Sequence, residues 1–126
     1  MPGLYNRLMG LDRRIRFAAL VTDSGEIIEG GMRENVQPIE PLEKTPKLIA
    51  QLVAKESAEA RAEFLGSPLY SIMVHDNIVA VILYTRENIV LVTAERSIPL
   101  KKLEALERLV FRSRGVRKQT RRKKKR

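Results

Sequence analysis

Three apolar runs in the middle of the sequence constrain the fold more than any other feature. They are Leu69–His75, Ile78–Tyr84 and Ile89–Ala94, and only Asp76-Asn77 and a four-residue polar break at 85–88 separate them. All three runs are rich in Val and Ile, whose branched side chains suit a pleated strand better than a helix. Asp-Asn accepts the positive φ that a tight hairpin requires. The stretch therefore predicts three antiparallel strands in a meander.

The middle run, IVAVILY, lacks the alternation of apolar and polar residues that marks a strand with one wet face. Such a pattern is typical of a strand that is covered on both faces. We therefore expect Val81 and Leu83 of this run, and Val90 and Val92 of the next, to lie in the core. A sheet of this kind needs helices packed against it.

A hairpin precedes the meander. Ile15–Thr22 and Glu26–Met32 are short apolar runs, and the Asp23-Ser24-Gly25 turn between them can supply a residue in the left-handed region. Gly30 and Gly31 end the second run or place a bulge in it, because glycine has no side chain to pack. The alternative is that a partner or ligand approaches the backbone there.

Helical periodicity appears in three places. Leu4, Leu8 and Leu11 are about one turn apart in a predicted helix over 2–14. A second helix is predicted over 46–65, with Thr45 as N-cap and Pro46 at the first helical position. A third follows Pro99, where a seam recurs every three or four residues: Leu100, Leu103, Leu106, Leu109 and Val110.

The predicted fold class is α+β, in the order α-β-β-α-β-β-β-α, with a five-stranded antiparallel sheet sandwiched by helices. This order resembles the roadblock dynein-light-chain family, within the profilin-like and longin-like group, over about residues 4–111. The most specific part is IRFAALVTDSGEIIEGGMRE at 15–34, with Asp-x-Gly at the turn and small residues after the second strand. The same stretch, with NIVLVTAE at 88–95, is also similar to an uncharacterised archaeal family.

The roadblock resemblance implies dimers, binding of small GTPases or their regulators, and no catalytic residues. Roadblock-like dimers use the strand at Leu69–His75 together with the preceding helix. We therefore expect Leu69, Ile72 and Met73 to lie at a homodimer interface. An apolar strand at a sheet edge also invites pairing on physical grounds.

Signatures of enzymatic chemistry are weak. The chain has no Cys and a single histidine, His75, which has no Ser or Asp partner by motif. The spacing of the glycines matches neither GxGxxG nor a P-loop. We predict a protein that is not an enzyme, with no metal and no cofactor. No run approaches the roughly 20 apolar residues of a membrane span, so we expect a cytoplasmic protein.

One loop after the hairpin is a candidate site for a partner. It comprises Gly30, Gly31, Arg33 and Glu34. Charged residues directly after a double glycine can be presented on a turn, although an ordinary surface turn has the same composition.

Positive charge is concentrated at the C-terminus. The formal net charge is +9, but ten of the 24 Lys and Arg residues fall within 112–126, which leaves 14 basic and 15 acidic residues for 1–111. We therefore divide the chain into a near-neutral domain, 1–111, and a basic tail, 112–126, expected to be disordered. The cations of the tail are Arg112, Arg114, Arg117, Lys118, Arg121, Arg122, Lys123, Lys124, Lys125 and Arg126.

Such a tail can bind polyanions by releasing counterions from phosphates. It contains no aromatic residue, so base stacking is not available within it. The sequence thus leaves several hypotheses open: a dimeric scaffold for a regulatory partner such as a small GTPase, or a protein anchored to RNA, DNA or the ribosome by its tail. A sensor of small ligands is a third, and a membrane surface is a weaker partner for the tail because no aromatic cluster adjoins it.

Overall fold

The structure, a computed structural model, describes residues 3–22, 26–39, 66, 68–86 and 88–113. The predicted turn at 23–25, the predicted helix over 46–65 and the tail from 114 onwards lie outside the described residues. The elements are α1 (Leu4–Met9), β1 (Ile15–Val21), β2 (Ile27–Met32), β3 (Tyr70–Val74), β4 (Ile78–Tyr84), β5 (Ile89–Glu95) and α2 (Leu100–Ser113).

The five strands form one antiparallel sheet in the order β2-β1-β5-β4-β3. This confirms the predicted sheet, and every strand lies within one residue of its predicted bounds at either end. The meander places β3, β4 and β5 side by side. The N-terminal hairpin joins it through the pairing of β1 with β5, in which Ala18 faces Val92 and Leu20 faces Val90.

The first face of the sheet is covered by both described helices. Leu8 of α1 and Leu106 and Val110 of α2 are fully buried against it. Val81, Leu83, Val90 and Val92 all belong to this cluster and are at most 1% exposed. Their predicted burial is therefore confirmed.

The second face buries a separate cluster built on Phe17, Val21, Ile82 and Leu91. Because side chains alternate between faces along a strand, the unbroken apolar run of β4 serves both clusters. This explains why its sequence shows no alternation.

The two helices differ from their predicted extents. The helix predicted over 2–14 ends at Met9, because Gly10 caps it and the Asp12 carboxylate then accepts the backbone N–H of Arg14 at 2.8 Å. In α2, Leu103, Leu106 and Val110 form the predicted buried seam and Leu109 is half-buried, but Leu100 is 67% exposed. Leu100 was thus wrongly assigned to the seam, since it lies in the first turn, beyond the sheet.

The buried residue Val81 of β4 provides a test of the fold. Val81→Asp should lower the free energy of unfolding by about 3–5 kcal/mol, because it leaves an uncompensated charge in the core. Leu100→Asp is the matched control, since Leu100 is 67% exposed and a charge there remains in water. Urea unfolding followed by circular dichroism measures both, and equal midpoints for Val81→Asp and the parent would refute the placement of β4.

Candidate interaction surfaces

Gly30, the first residue of the double glycine in β2, is needed by the chain itself. Gly30 has φ +106°, and a Cβ at that position would lie 2.7 Å from the Cα of Ala19 and closer still to the carbonyl oxygen of Ala18. The prediction that these glycines end the strand or place a bulge in it was wrong, because both pair regularly with β1 and the irregularity lies at Ile28. Close approach of the backbone does occur at Gly30, but the neighbour is β1. A Cβ on Gly31 would meet nothing within 4 Å.

The sequence predicts Arg33 in a loop that binds a partner, but its side chain donates hydrogen bonds to backbone carbonyl groups of the chain itself. Its Nε donates to the carbonyl oxygen of Ile15 at 2.6 Å, and its Nη2 donates to those of Met9 and Asp12, both at 2.9 Å. Carbonyls at the end of a helix lack intrahelical partners and attract cations. Arg33 therefore ties α1 to the start of β1, whereas Gly30 and Glu34 of the predicted loop are exposed.

Two further cations hold the α1 exit loop, residues 10–14. The Arg14 guanidinium binds the Asp12 carboxylate through two hydrogen bonds of 2.8 Å and also donates to the carbonyl oxygen of Ser97. Lys102 of α2 donates to the carbonyl oxygen of Leu11 at 3.1 Å. The Asp12 side chain is only 5% exposed. Its hydrogen bonds with Arg14 hold the pKa of that carboxyl well below its ordinary value.

A polar pocket lies beside this loop at one end of the sheet. Arg13, Arg14, Glu95 and Ser97 line it. Because Arg14 is already bonded to Asp12 and Ser97, the remaining charges are Arg13 and Glu95, which are of opposite sign. Two lining charges of opposite sign do not favour a site for a phosphate or a metal ion.

The sequence did not predict two sets of contacts: the hydrogen bonds between Asp12 and Arg14, and those that join Tyr5 to β2. Glu29 Oε2 accepts the N–H of Tyr5 at 3.3 Å, and the Tyr5 hydroxyl donates to the carbonyl oxygen of Met32 at 2.8 Å. Glycine at the N-cap of α1 was a signal for the first contact, because the free amides of that helix need an acceptor from elsewhere. The Asp12-x-Arg14 spacing was a local signal for the hydrogen bonds between those two side chains.

His75 occupies an exposed turn between β3 and β4. Its backbone N–H donates to the carbonyl oxygen of Ile78 at 2.9 Å. Within the described part of the chain, no group of three or more His, Asp or Glu residues is arranged to hold a metal ion. Neither α1 nor α2 has the length and apolar character of a membrane-spanning helix.

The predicted interface strand, β3, does lie at an edge of the sheet. The Leu69 carbonyl oxygen accepts the N–H of Tyr84, and His75 bonds to Ile78, so alternation directs the backbone groups of Tyr70, Ile72 and Val74 away from β4. The side chains of Ile72 and Met73 are half-buried and pack against the two core clusters.

Tyr70 and Val74 are the exposed apolar side chains of β3, at 38% and 55%. They stand on the same face as Ile72, two residues to either side of it. The exposed apolar surface at this edge is therefore formed by Tyr70 and Val74, which lie on either side of the half-buried Ile72.

Of the predicted polyanion-binding residues, the structure describes Arg112. It is exposed in the last turn of α2. The other nine cations lie outside the described residues, so their role stays a prediction.

Comparison with solved structures identifies the fold. The chain matches "MglB with tetrameric arrangement" (16% identity, 86% of this chain and 85% of that chain, TM-score 0.64) and the gliding protein MglB from Thermus thermophilus (18%, 86% and 86%, 0.63). It also matches a Roadblock/LC7 domain from Streptomyces avermitilis (15%, 90% and 98%, 0.61). The chain has the roadblock fold.

The roadblock likeness is one of fold, since no more than 18% of residues are identical in these alignments. No family model matches the sequence, and a search of curated proteins finds no match. The predicted roadblock architecture is confirmed. The resemblance to an archaeal family is not addressed by these structures and stays a prediction.

The carboxylate of Asp12 predicts a specific dependence of stability on pH. Because its pKa is lower in the folded than in the unfolded chain, the unfolded chain binds more protons in acid. The stabilisation is therefore complete at neutral pH and is lost progressively as the pH falls below about 5. Asp12→Asn should lower the free energy of unfolding by about 1–3 kcal/mol at pH 7, and this difference should shrink towards pH 2.

Urea unfolding at several pH values measures both effects. Glu34→Gln is the control, because Glu34 is exposed and its replacement should leave the curve of the parent unchanged. A constant difference between Asp12→Asn and the parent at all pH values would contradict the assignment.

Proposed function

We propose that this protein is a non-enzymatic regulatory module that forms a homodimer and binds a small GTPase. The observation that carries the proposal is the roadblock fold, which matches MglB and Roadblock/LC7 domain structures over at least 86% of the chain. Fold alone does not specify function, so the proposal also depends on surfaces suited to assembly. One of these structures, "MglB with tetrameric arrangement", is an assembly of the same fold.

The β3 edge supports the proposal of a dimer. Tyr70, Ile72 and Val74 present a row of backbone donors and acceptors together with apolar side chains. An edge that presents both is an effective template for strand pairing. Pairing of β3 with its copy about a twofold axis would both satisfy the free backbone groups and bury the apolar side chains. The proposed core of this interface is Leu69, Ile72 and Met73.

Dimerisation can be tested by sedimentation velocity. Val74→Lys should weaken the dimer roughly tenfold or more, because the ammonium group would be desolvated beside the partner strand. Ile28→Lys on the opposite edge, where the side chain is similarly exposed at 54%, should leave the dimer unchanged. A strict monomer at tens of micromolar, or equal effects of the two substitutions, would refute β3 pairing.

The GTPase partner needs a separate experiment. The full chain is titrated against each small GTPase encoded in the same genome, loaded either with GDP or with a non-hydrolysable GTP analogue, and binding is followed by biolayer interferometry. We expect one GTPase to bind one nucleotide state at least tenfold more tightly than the other. Failure of every GTPase to bind in both states would refute the regulatory proposal but leave the dimer untouched.

The basic tail favours a second function, binding of nucleic acid. Ten cations within residues 112–126 stand beside a domain with a formal charge of −1. Such a tail would contact phosphates without reading sequence. The tail would then anchor the protein on RNA or DNA while the domain carries its regulatory partner.

Salt dependence tests the tail. If about five cations reach phosphates together, the logarithm of affinity should fall against the logarithm of salt concentration with a slope of roughly −3.5 to −4.5. A chain ending at Ser113 should lose nearly all of that slope and keep its melting temperature. Replacing Lys123, Lys124 and Lys125 by Gln should weaken binding to all sequences alike. Equal binding by the shortened chain would remove the tail from this role.

A further inference from the structure

The outer edge of β2, at the opposite end of the sheet from β3, presents two adjacent isoleucines. Ile27 is 45% exposed and Ile28 is 54% exposed. The register between β1 and β2 slips by one residue here, so Val21 faces Ile27, Leu20 faces Glu29, and Ile28 has no partner on β1. Isolated exposed apolar residues are ordinary, but an adjacent pair on an open edge strand is a template for pairing.

The backbone of β2 is also open along part of this edge. Arg33 donates its N–H to the carbonyl oxygen of Arg16 at 2.6 Å, which sets the alternation of hydrogen-bonded pairs. Gly30 and Met32 therefore direct their amide and carbonyl groups away from β1. The Tyr5 hydroxyl already occupies the carbonyl oxygen of Met32. The open part of the edge thus runs from Ile27 to Gly30, because the backbone N–H and carbonyl oxygen of Glu26 are both hydrogen-bonded to Thr22.

Charge indicates which occupant this edge would accept. Glu26 and Glu29 flank the two isoleucines, and residues 26–32 contain no Lys or Arg. One carboxylate oxygen of Glu29 already accepts the N–H of Tyr5, so Glu26 contributes the freer of the two negative charges. A second copy of β2 would bring four carboxylates together, and like charges on paired strands are destabilising. A strand that carries Lys or Arg between apolar residues would meet the same carboxylates favourably.

We propose that the outer edge of β2 binds an extended, basic peptide segment of a partner protein as a sixth strand. Main-chain hydrogen bonds to Gly30 would supply affinity that does not depend on the side chains of the peptide, while the isoleucines and the two carboxylates would select its side chains. This surface is distinct from the β3 edge and does not depend on the proposed GTPase partner.

A fluorescein-labelled hexapeptide of alternating Lys and Val provides the probe, and fluorescence anisotropy with the full-length protein measures its affinity. Ile28→Thr should weaken binding about tenfold, because it removes apolar contact while keeping a β-branched residue that suits the strand. Val74→Thr, at the equally exposed position on β3, should leave the affinity unchanged. Glu26→Lys should weaken binding as well, and melting temperatures equal to that of the parent would confirm that both β2 variants fold.

The proposal is overturned if the peptide does not bind, if a Glu-Val hexapeptide binds as tightly, or if Val74→Thr weakens binding as much as Ile28→Thr. Hydrogen exchange of the free protein tests the other occupants. The Gly30 amide should exchange quickly without peptide and slowly with it. Slow exchange in the free protein also overturns the proposal, because the edge is then already occupied. Protection that depends on protein concentration would indicate a second copy, and protection that does not would indicate the chain itself.

Discussion

The pairing of β1 with β5 is the contact on which the rest of the structure depends. It joins residues 68 to 79 positions apart, such as Ala18 and Val92, and among the described strands it is the pairing that connects the N-terminal hairpin to the meander. Closing so long a loop costs conformational entropy before any contact offsets it. Burial on both faces provides the compensation, because β1, β4 and β5 contribute to both core clusters. The two open edges lie at opposite ends of the sheet because these three strands fill its middle.

A six-residue helix such as α1 is too short to be stable alone, and its attachments explain how it persists. Leu4 and Leu8 are buried in the first core cluster. The carbonyls at its end and in its exit loop accept hydrogen bonds from Arg33 and Lys102. Three separate segments of the chain therefore converge at one end of the sheet. In consequence, the charged residues there hold the domain together and leave few groups for a ligand.

The sequence was most informative where a pattern is local. The Val-rich runs and their polar breaks placed β4 correctly, and the lack of alternation in IVAVILY reported burial on two faces. Strand order could not be derived, because it depends on pairing between β1 and β5 across most of the chain. Arg33 was misleading for a related reason: a cation after two glycines has the composition of a surface loop, but its carbonyl partners on α1 and β1 lie 18 to 24 positions away. Ile72 was correctly placed on an edge, while the exposure of Tyr70 and Val74 required the register with β4.

The carboxylates on β2 have a consequence for how large an assembly of this fold can grow. Pairing of two copies through β3 would yield one continuous sheet with a β2 edge at each end, and strand pairing by itself sets no limit on further addition. In such an assembly Glu26 and Glu29 would set that limit, because addition of another β2 edge would oppose like charges. They would then act as gatekeepers against fibre formation. Their effect is weakest in concentrated salt, where exposed charges are screened within a few ångströms, so the boundary between a discrete particle and a filament is electrostatic.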